Sequence, residues 1–342
     1  MTVSLRSFAK INLGLAIGPA RPDGFHALAT VYQTIALHDR MTVTAVRARS
    51  TRIALSSNDA RVPLDERNTA WKMTAKALAA LGVHAEVAIH VEKRLPVQGG
   101  LGAGSANAAA ALVGLERALG VELPQTERLR VAAEVGSDVP LFLIGGAVLG
   151  SGRGEVVTPL EDAPALPCVV AVPEVGVSTP AAFREWDRRN AALTPEALTA
   201  RLERLSQSVS ATWSRPRSSG VSRSMDSGSV LVQESASTRG DLAETPLLAL
   251  VRTGIANDFE EVVFQQHPSL ADIVRVLRGA GSEPGGEALY AALSGSGSAL
   301  FGLYAEAKAA DRAAERLRQR GLVALRTETL PREQYWRTMW NG

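Results

Sequence analysis

The stretch Pro96-Val97-Gln98-Gly99-Gly100-Leu101-Gly102-Ala103-Gly104-Ser105-Ala106-Asn107 holds four glycines and a serine within seven consecutive positions. Glycine lets a backbone turn sharply, adopt positive φ and approach a ligand with no Cβ in the way. If a helix begins there, its first turn adds unpaired N–H groups and the positive end of the helix dipole. Together these features suit a phosphate anion. The stretch lacks the Gly-Lys-Ser/Thr ending of a Walker loop. Gly100-Leu101-Gly102-Ala103-Gly104-Ser105 imitates a dinucleotide fingerprint, but that fingerprint needs a tight turn directly after a strand. A glycine-rich connection without a ligand has similar letters, so neighbouring residues must decide. Four other groups could take part in chemistry: Lys10 with Asn12, Phe25 with His26, Asp138 in Gly136-Ser137-Asp138-Val139-Pro140, and the repeat Ser294-Gly295-Ser296-Gly297-Ser298.

Periodicity assigns these groups to elements. Val87, Ile89 and Val91 alternate with Glu86, Ala88, His90 and Glu92, so a strand runs up to about Lys93; Ala108 to Leu119 is rich in Ala and Leu and reads as a helix. The glycine stretch therefore joins a strand to a helix. Between Val3 and Ile17 the apolar residues Val3, Leu5, Ile11, Leu13, Leu15 and Ile17 occupy odd positions. Lys10 and Asn12 then share the opposite face of one strand, where a lysine is ordinarily solvated. Pro22-Asp23-Gly24 signals a turn that places Phe25 and His26 at a loop tip. Strands are expected at Val31–Leu37 and Met41–Val46, and a helix from Asn68 or Thr69, as cap, to about Leu81. Thr126–Val135 reads as a helix and Leu141–Leu149 as a strand; an aspartate between glycine and proline, such as Asp138, is commonly a turn residue.

The second half begins with strand Cys168–Val172. Ser178-Thr179-Pro180 then caps a helix carrying Phe183 and Trp186. Helices are expected at Leu198–Leu205, Leu247–Phe264 and Ser269–Ala280. Strand Ala288–Leu293, the Ser-Gly repeat and strand Ala299–Tyr304 follow, then helix Glu306–Arg320 and strand Leu322–Thr327. The order strand, helix, strand, strand, helix, strand implies a split-βαβ, ferredoxin-like layer, in which the repeat could be only a tight hairpin. Ser206 to Gly240 holds twelve serines, several arginines and no sustained apolar period, and reads as a flexible insertion.

Composition limits the partners. A net charge of +2 is too small to argue for nucleic acid or a membrane surface. No apolar run reaches the roughly 18 residues of a membrane span, and no signal peptide is visible, so the cytoplasm is the expected compartment. The single cysteine, Cys168, excludes an internal disulfide framework and lies in an apolar run. The 342 residues suit two domains, expected at 1–160 and 161–342, in a monomer or homodimer.

Ala9-Lys10-Ile11-Asn12, Pro96–Asn107, Gly136-Ser137-Asp138-Val139-Pro140 and Leu293-Ser294-Gly295-Ser296-Gly297 occur in this order along the chain. Together they resemble the superfamily of galactokinase, homoserine kinase, mevalonate kinase and phosphomevalonate kinase (the GHMP kinases). Arg21-Pro22-Asp23-Gly24-Phe25-His26 and Asn257-Asp258-Phe259-Glu260 most resemble the branch that phosphorylates 4-diphosphocytidyl-2-C-methyl-D-erythritol. The resemblance covers nearly the whole chain outside 206–240. It implies a two-domain α+β fold and transfer of the ATP γ-phosphoryl to an alcohol, the 2-hydroxyl of that cytidine-diphosphate sugar alcohol, on the methylerythritol phosphate route to isoprenoid precursors.

By the same resemblance, Asp138 is the catalytic base and Lys10 its cationic partner. Gly99, Gly100, Leu101, Gly102, Ala103, Gly104 and Ser105 cradle the phosphates; Pro96, Asn68 and Lys93 belong to the rest of the ATP site, the last two at the adenosine. Asn12, Thr179 and Asp138 meet the substrate. Phe25 and Phe183 sandwich the cytosine while His26 bonds its edge. Relatives usually carry Tyr in place of Phe25, glycine in place of Gln98, and glycine or serine in place of Ala103 and Ala106. Mg²⁺ is expected with ATP, with no protein ligand assigned. A relative acting on homoserine or mevalonate, or a non-catalytic nucleotide-binding descendant, remains an alternative. The Phe25-His26 pair argues against the first and the retained Lys10 and Asp138 against the second.

Overall fold

The computed structural model describes residues 1–97, 99–213, 246–279 and 286–340. Its frame is one long antiparallel hairpin, β1 (Thr2–Ala20) and β2 (His26–Arg47), turned over Arg21–Phe25. Gly24 takes φ +80° there, and the Asp23 carboxylate accepts the Phe25 N–H at 3.2 Å, as a Pro-Asp-Gly turn requires. The two strands expected within 31–46 are one. A register shift between the pairs Phe8–His38 and Ala9–Ile35 absorbs the interruption as a bulge, which bends the strand instead of ending it.

The free edge of β2 is shared. Its second half pairs with β4 (Ala85–Glu92) and its first half with β5 (Ala147–Ser151). Outside these lie β3 (Arg52–Ser57), parallel to β4, and β6 (Val156–Pro159), completing a six-stranded sheet. Helices α1 (Thr69–Leu81), α2 (Ala103–Leu119) and α3 (Gln125–Val135) belong to this unit. The alanines 106 and 108–111 of α2 are buried, small enough to seat the helix closely on the sheet. The expected strand Leu141–Leu149 is only half a strand. Pro140–Leu143 forms a 3-10 turn, Gly145 and Gly146 both take positive φ, and β5 begins after them. Two left-handed residues in a row break an extended run that its apolar composition had suggested.

The second sheet contains β7 (Pro167–Val172), β8 (Tyr290–Leu293), β9 (Leu300–Leu303) and β10 (Val323–Glu328), ordered β10-β7-β9-β8 and antiparallel throughout. With α8 (Pro268–Arg278) on β8 and β9, and α9 (Ala307–Arg318) on β7 and β10, this is the expected split-βαβ layer. Of the other helices here, α4 (Thr179–Asn190) carries Phe183 and Trp186. The expected helix Leu247–Phe264 is two, α6 (Pro246–Arg252) and α7 (Phe259–Gln266), parted around Gly254 at φ +78° and Asn257.

The expected flexible segment begins too early. Helix α5 (Pro195–Trp213) extends through its first eight residues, 206–213. Leu205, Val209 and Thr212 face inward on a helical spacing among half-buried Ser206 and Ser208 and exposed Ser210, and Trp213 Nε1 donates to the Glu161 carbonyl at 2.8 Å. Residues 214–240 of that segment, like Gln98, lie outside the described residues. An unanticipated helix, α10 (Arg332–Met339), returns to the first unit, where Tyr335 and Met339 enter its core. A second core joins the units: Ala9, Ile11, Leu13 and Leu101 pack with Cys168, Val170, Phe301 and Leu303.

Candidate active site

Gly100 and Gly102 hold φ +75° and +69°, and the backbone between them lies along the edge of β1, where Lys10 N–H donates to the Leu101 carbonyl at 3.0 Å. Helix α2 starts immediately afterwards, with Gly102 as its N-cap and no side chain capping it. The first-turn N–H groups of Ala103, Gly104 and Ser105 are those an α-helix leaves without internal partners. Pro96, Gly99 to Ser105, Asn68 and Lys93 line one cavity of about 370 Å³. Two of these side chains are already engaged. Asn68 caps α1, accepting from Ala70 N–H at 2.8 Å. The Lys93 ammonium pairs with Asp39, a fully buried carboxylate that also accepts from the N–H groups of Arg94 and Leu95 and from Asn107 Nδ2. Asp39, which no sequence motif pointed to, thus fixes both the entry and the exit of the glycine loop.

The second cavity, about 590 Å³, adjoins the same loop and is lined by Lys10, Asn12, Tyr32 and Asp138 at one part and Phe25, His26 and Phe183 at another. Lys10 is 2 % exposed. Its ammonium donates to Asn12 Oδ1 at 2.6 Å and to the Gly100 carbonyl at 2.8 Å, and it faces Asp138 Oδ2 at 3.4 Å. Burial pulls the Lys10 pKa down, and the adjacent Asp138 carboxylate opposes this. The other Asp138 oxygen accepts from the Tyr32 hydroxyl at 2.9 Å. Burial, reinforced by Asp138, pushes the Tyr32 pKa well above its ordinary value, which keeps the phenol a donor. Asn12 is oriented by its amide, which donates to Thr30 Oγ1 at 2.8 Å; Thr30 in turn donates to the Gly14 carbonyl. The register that places Lys10 and Asn12 on one strand face also brings Tyr32 opposite Asn12 across the hairpin.

The Ser-Gly repeat is more than a hairpin turn. Ser294 Oγ donates to the Gly100 carbonyl at 2.9 Å, and Ala299 N–H donates to the Gly99 carbonyl at 3.1 Å. A Cβ on Gly295 would lie 3.5 Å from the Lys10 ammonium and 3.4 Å from Asn12 Oδ1. Asn257 holds this repeat in place, donating to the carbonyls of Leu293 and Gly295 at 2.9 and 2.7 Å while accepting from Phe259 N–H. The Asn257-Asp258-Phe259-Glu260 motif is therefore an anchor. Asp258 accepts from Ile17 N–H on β1, and Glu260 accepts from Leu293 N–H at the repeat.

At the aromatic part His26 and Phe183 are stacked, with centroids 4.9 Å apart and planes 9° from parallel, and Phe259 meets Phe183 edge-on. His26 Nε2 donates to Asp187 Oδ1 at 2.7 Å. Phe25 stands apart, 52 % exposed, beneath the Arg153 guanidinium. So His26, rather than a gap, faces Phe183 here, and the two phenyl rings do not face each other directly. Thr179 Oγ1 shares a hydrogen bond of 2.6 Å with Ser296 Oγ, tying α4 to the repeat. Tyr32, Asp187 and Arg153 had no pattern in the sequence that marked them for this part of the fold, whereas Asn257 lay in a motif whose anchoring role the sequence did not show.

The arrangement can hold an anion at a helix N-terminus and present a carboxylate and an ammonium to one oxygen beside it. Residues 68–146 match the family model of the GHMP kinases N terminal domain, and residues 239–322 that of the GHMP kinases C terminal. The chain is 36 % identical to a 4-diphosphocytidyl-2-C-methyl-D-erythritol kinase of Solibacter usitatus, over 98 % of this chain and 91 % of that one. It is also 36 % identical to its namesake in Streptomyces avermitilis, over 93 % of each chain. Among solved structures, a 4-(cytidine 5'-diphospho)-2C-methyl-D-erythritol kinase superposes at a TM-score of 0.66 with 28 % identity, over 95 % of this chain and 98 % of that one. A homoserine kinase from Cytophaga hutchinsonii gives 0.70 at 18 % identity, over 98 % and 96 %, which speaks for the fold alone. With its glycine loop, its Lys10–Asp138 pair and relatives matched along nearly its full length, the chain belongs to the 4-diphosphocytidyl-2-C-methyl-D-erythritol kinase family of the GHMP kinases.

Proposed function

We propose that this chain transfers the γ-phosphoryl group of ATP to the 2-hydroxyl of 4-diphosphocytidyl-2-C-methyl-D-erythritol, a step of the methylerythritol phosphate route to isoprenoid precursors. The observation that carries this reading is the Lys10 ammonium, 3.4 Å from Asp138 and 2.8 Å from a carbonyl of the glycine loop. Phosphoryl transfer needs chiefly positioning and charge neutralisation, and a carboxylate and an ammonium beside a glycine loop at a helix N-terminus support that reading. Asp138 takes the hydroxyl proton; the oxygen attacks the γ-phosphorus; the bond to the β,γ-bridging oxygen breaks, and ADP leaves. Lys10 holds Asp138 as carboxylate and lies against the transferring group, while Tyr32 holds the other carboxylate oxygen.

Gly99 to Ser105 would cradle the ATP phosphates, with Pro96, Asn68 and Lys93 around the rest of the nucleotide. Asn12 and Thr179 would orient the acceptor, whose cytosine would meet Phe25, His26 and Phe183. Stacking on a base is worth roughly 1–3 kcal/mol and is indifferent to its identity, so His26 would supply the discrimination. Mg²⁺ accompanies ATP as its phosphate counter-ion. We assign it no protein ligand. The test is ATP consumption with the cytidyl substrate, homoserine and mevalonate offered in parallel. Turnover confined to the cytidyl substrate is expected; turnover of homoserine or mevalonate alone, or of none, overturns the reading.

A further inference from the structure

The acceptor we propose has a diphosphate between its nucleobase and its reacting alcohol, and nothing assigned so far meets that charge. Anionic oxygens taken into a cleft require charged or hydrogen-bonding partners. Among the described residues, the basic side chains lining the cavity are Lys10, His26 and Arg153. The Lys10 ammonium is occupied by Asn12, Gly100 and Asp138, and His26 Nε2 by Asp187. Arg153 is differently held. Its guanidinium lies 4.8 Å over the Phe25 ring, its Nε is 3.5 Å from the Glu155 carboxylate, and its side chain is 25 % exposed.

The turn that carries Arg153 is fixed to both parts of the cleft. Leu28 N–H, just past His26 on β2, donates to the Gly152 carbonyl at 2.7 Å. Gly154 packs so closely on Tyr32 that a Cβ there would be 2.5 Å from its hydroxyl, the group that bonds Asp138. The turn that bears the arginine thus borders both the aromatic part and the Tyr32–Asp138 part of the cleft, the two ends that a linker between base and alcohol must join. A planar guanidinium is the side chain best shaped to bind two phosphoryl oxygens at once.

We propose that Arg153 reads the diphosphate of the acceptor substrate, with Phe25 and Glu155 holding its side chain ready. This rests on the cytidine-diphosphate reading of the cleft. Calorimetric titration of the full chain, with Mg²⁺ and a non-hydrolysable ATP analogue filling the donor cavity, tests it with two probes: CDP and cytidine. Wild type should bind CDP more tightly than cytidine. Arg153→Met, which keeps an apolar chain over Phe25, should reduce that preference about tenfold or more while leaving cytidine affinity unchanged. Arg153→Lys, which keeps the charge but not the two-point fork, should retain only part of the preference, between wild type and Arg153→Met. An unaltered preference in Arg153→Met overturns the proposal. So does equal weakening of both ligands, which would make Arg153 only a support for Phe25. A wild-type chain that binds neither probe would instead sink the cytidine reading of the cleft, and the proposal with it.

Discussion

At the scale of single residues, the Lys10–Asp138 pair makes the sharpest claims. Asp138→Asn leaves the Tyr32 hydroxyl an acceptor but removes the proposed base. ATP affinity should be retained and kcat should fall by about 10²–10⁴-fold, the usual worth of general-base catalysis. Lys10→Ala should also lower kcat, and the double variant should lose far less than the product of the two, because the pair acts as a unit. Steady-state kinetics with a nucleotide titration decide this; near-normal turnover in Asp138→Asn would reduce it to a turn residue. A pH effect follows from burial. Desolvation sets the Lys10 pKa below its ordinary value, so the ammonium is present at lower pH and is lost as pH rises through that depressed value. The kcat profile should therefore show an alkaline limb at lower pH than a solvated lysine would give. A flat profile up to the ordinary lysine range would count against the role of Lys10.

At the scale of elements, function depends on two loops from different sheets meeting back to back. Gly100 is the contact point: a Cβ there would lie 2.1 Å from the Ser294 carbonyl oxygen, at a φ of +75°. The left-handed backbone alone costs an alanine about 1–2 kcal/mol. Gly100→Ala should therefore lower both stability and kcat. Gly104→Ala is the contrast, since its Cβ would rest 3.5 Å from Thr69 Oγ1 in ordinary contact within a helix. Denaturant melts should show Gly104→Ala at or slightly above wild-type stability. Equal losses in the two variants would show that the Gly100–Ser294 contact has no special importance. Gly102 carries a different lesson. A Cβ there would point at Phe142 and the Lys10 stem, at 2.9 and 3.1 Å, so a larger residue would displace Lys10 as well as the glycine loop. Helix α5 gives an independent check. Val209 is 1 % exposed on the turn of α5 whose serines suggested a loop, and Val209→Ala should cost about 2 kcal/mol. No measurable loss would mean that 206–213 does not pack as a helix.

At the scale of the whole molecule, the two sheets share one of the cores, and Cys168 lies inside it. Burial pushes its thiol up to about 12. Alkylation at mildly alkaline pH then requires opening of that core. We predict that Cys168 is protected in the native chain and that its labelling tracks global unfolding, as followed by circular dichroism across a urea series. Labelling well before the global transition would show that the sheet units separate while each stays folded. Helix α10 bears on the same question. It follows the second sheet in sequence, yet Tyr335 bonds the Phe142 carbonyl at 2.7 Å and Trp336 the Ile144 carbonyl at 2.9 Å, both in the first unit. The chain thus closes on itself, which favours a single cooperative transition.

Local pattern determined much of this by itself. Alternation in β1 puts Lys10 and Asn12 on one face; Asn68 caps α1; the glycine run ends in a helix; and the strand-helix order gives the split-βαβ layer. Each depends on near neighbours and short-range sterics, which periodicity and turn chemistry record. Tertiary structure decided the rest. Asp39, Tyr32, Asn257 and Arg153 act through partners between 38 and 128 positions away, and no spacing rule encodes such a partnership. Serines 206, 208 and 210 read as loop until a packed face at Leu205 and Val209 turned them into part of a helix. Burial of apolar surface outweighs weak local propensity, and which surface is buried is fixed only when distant elements meet.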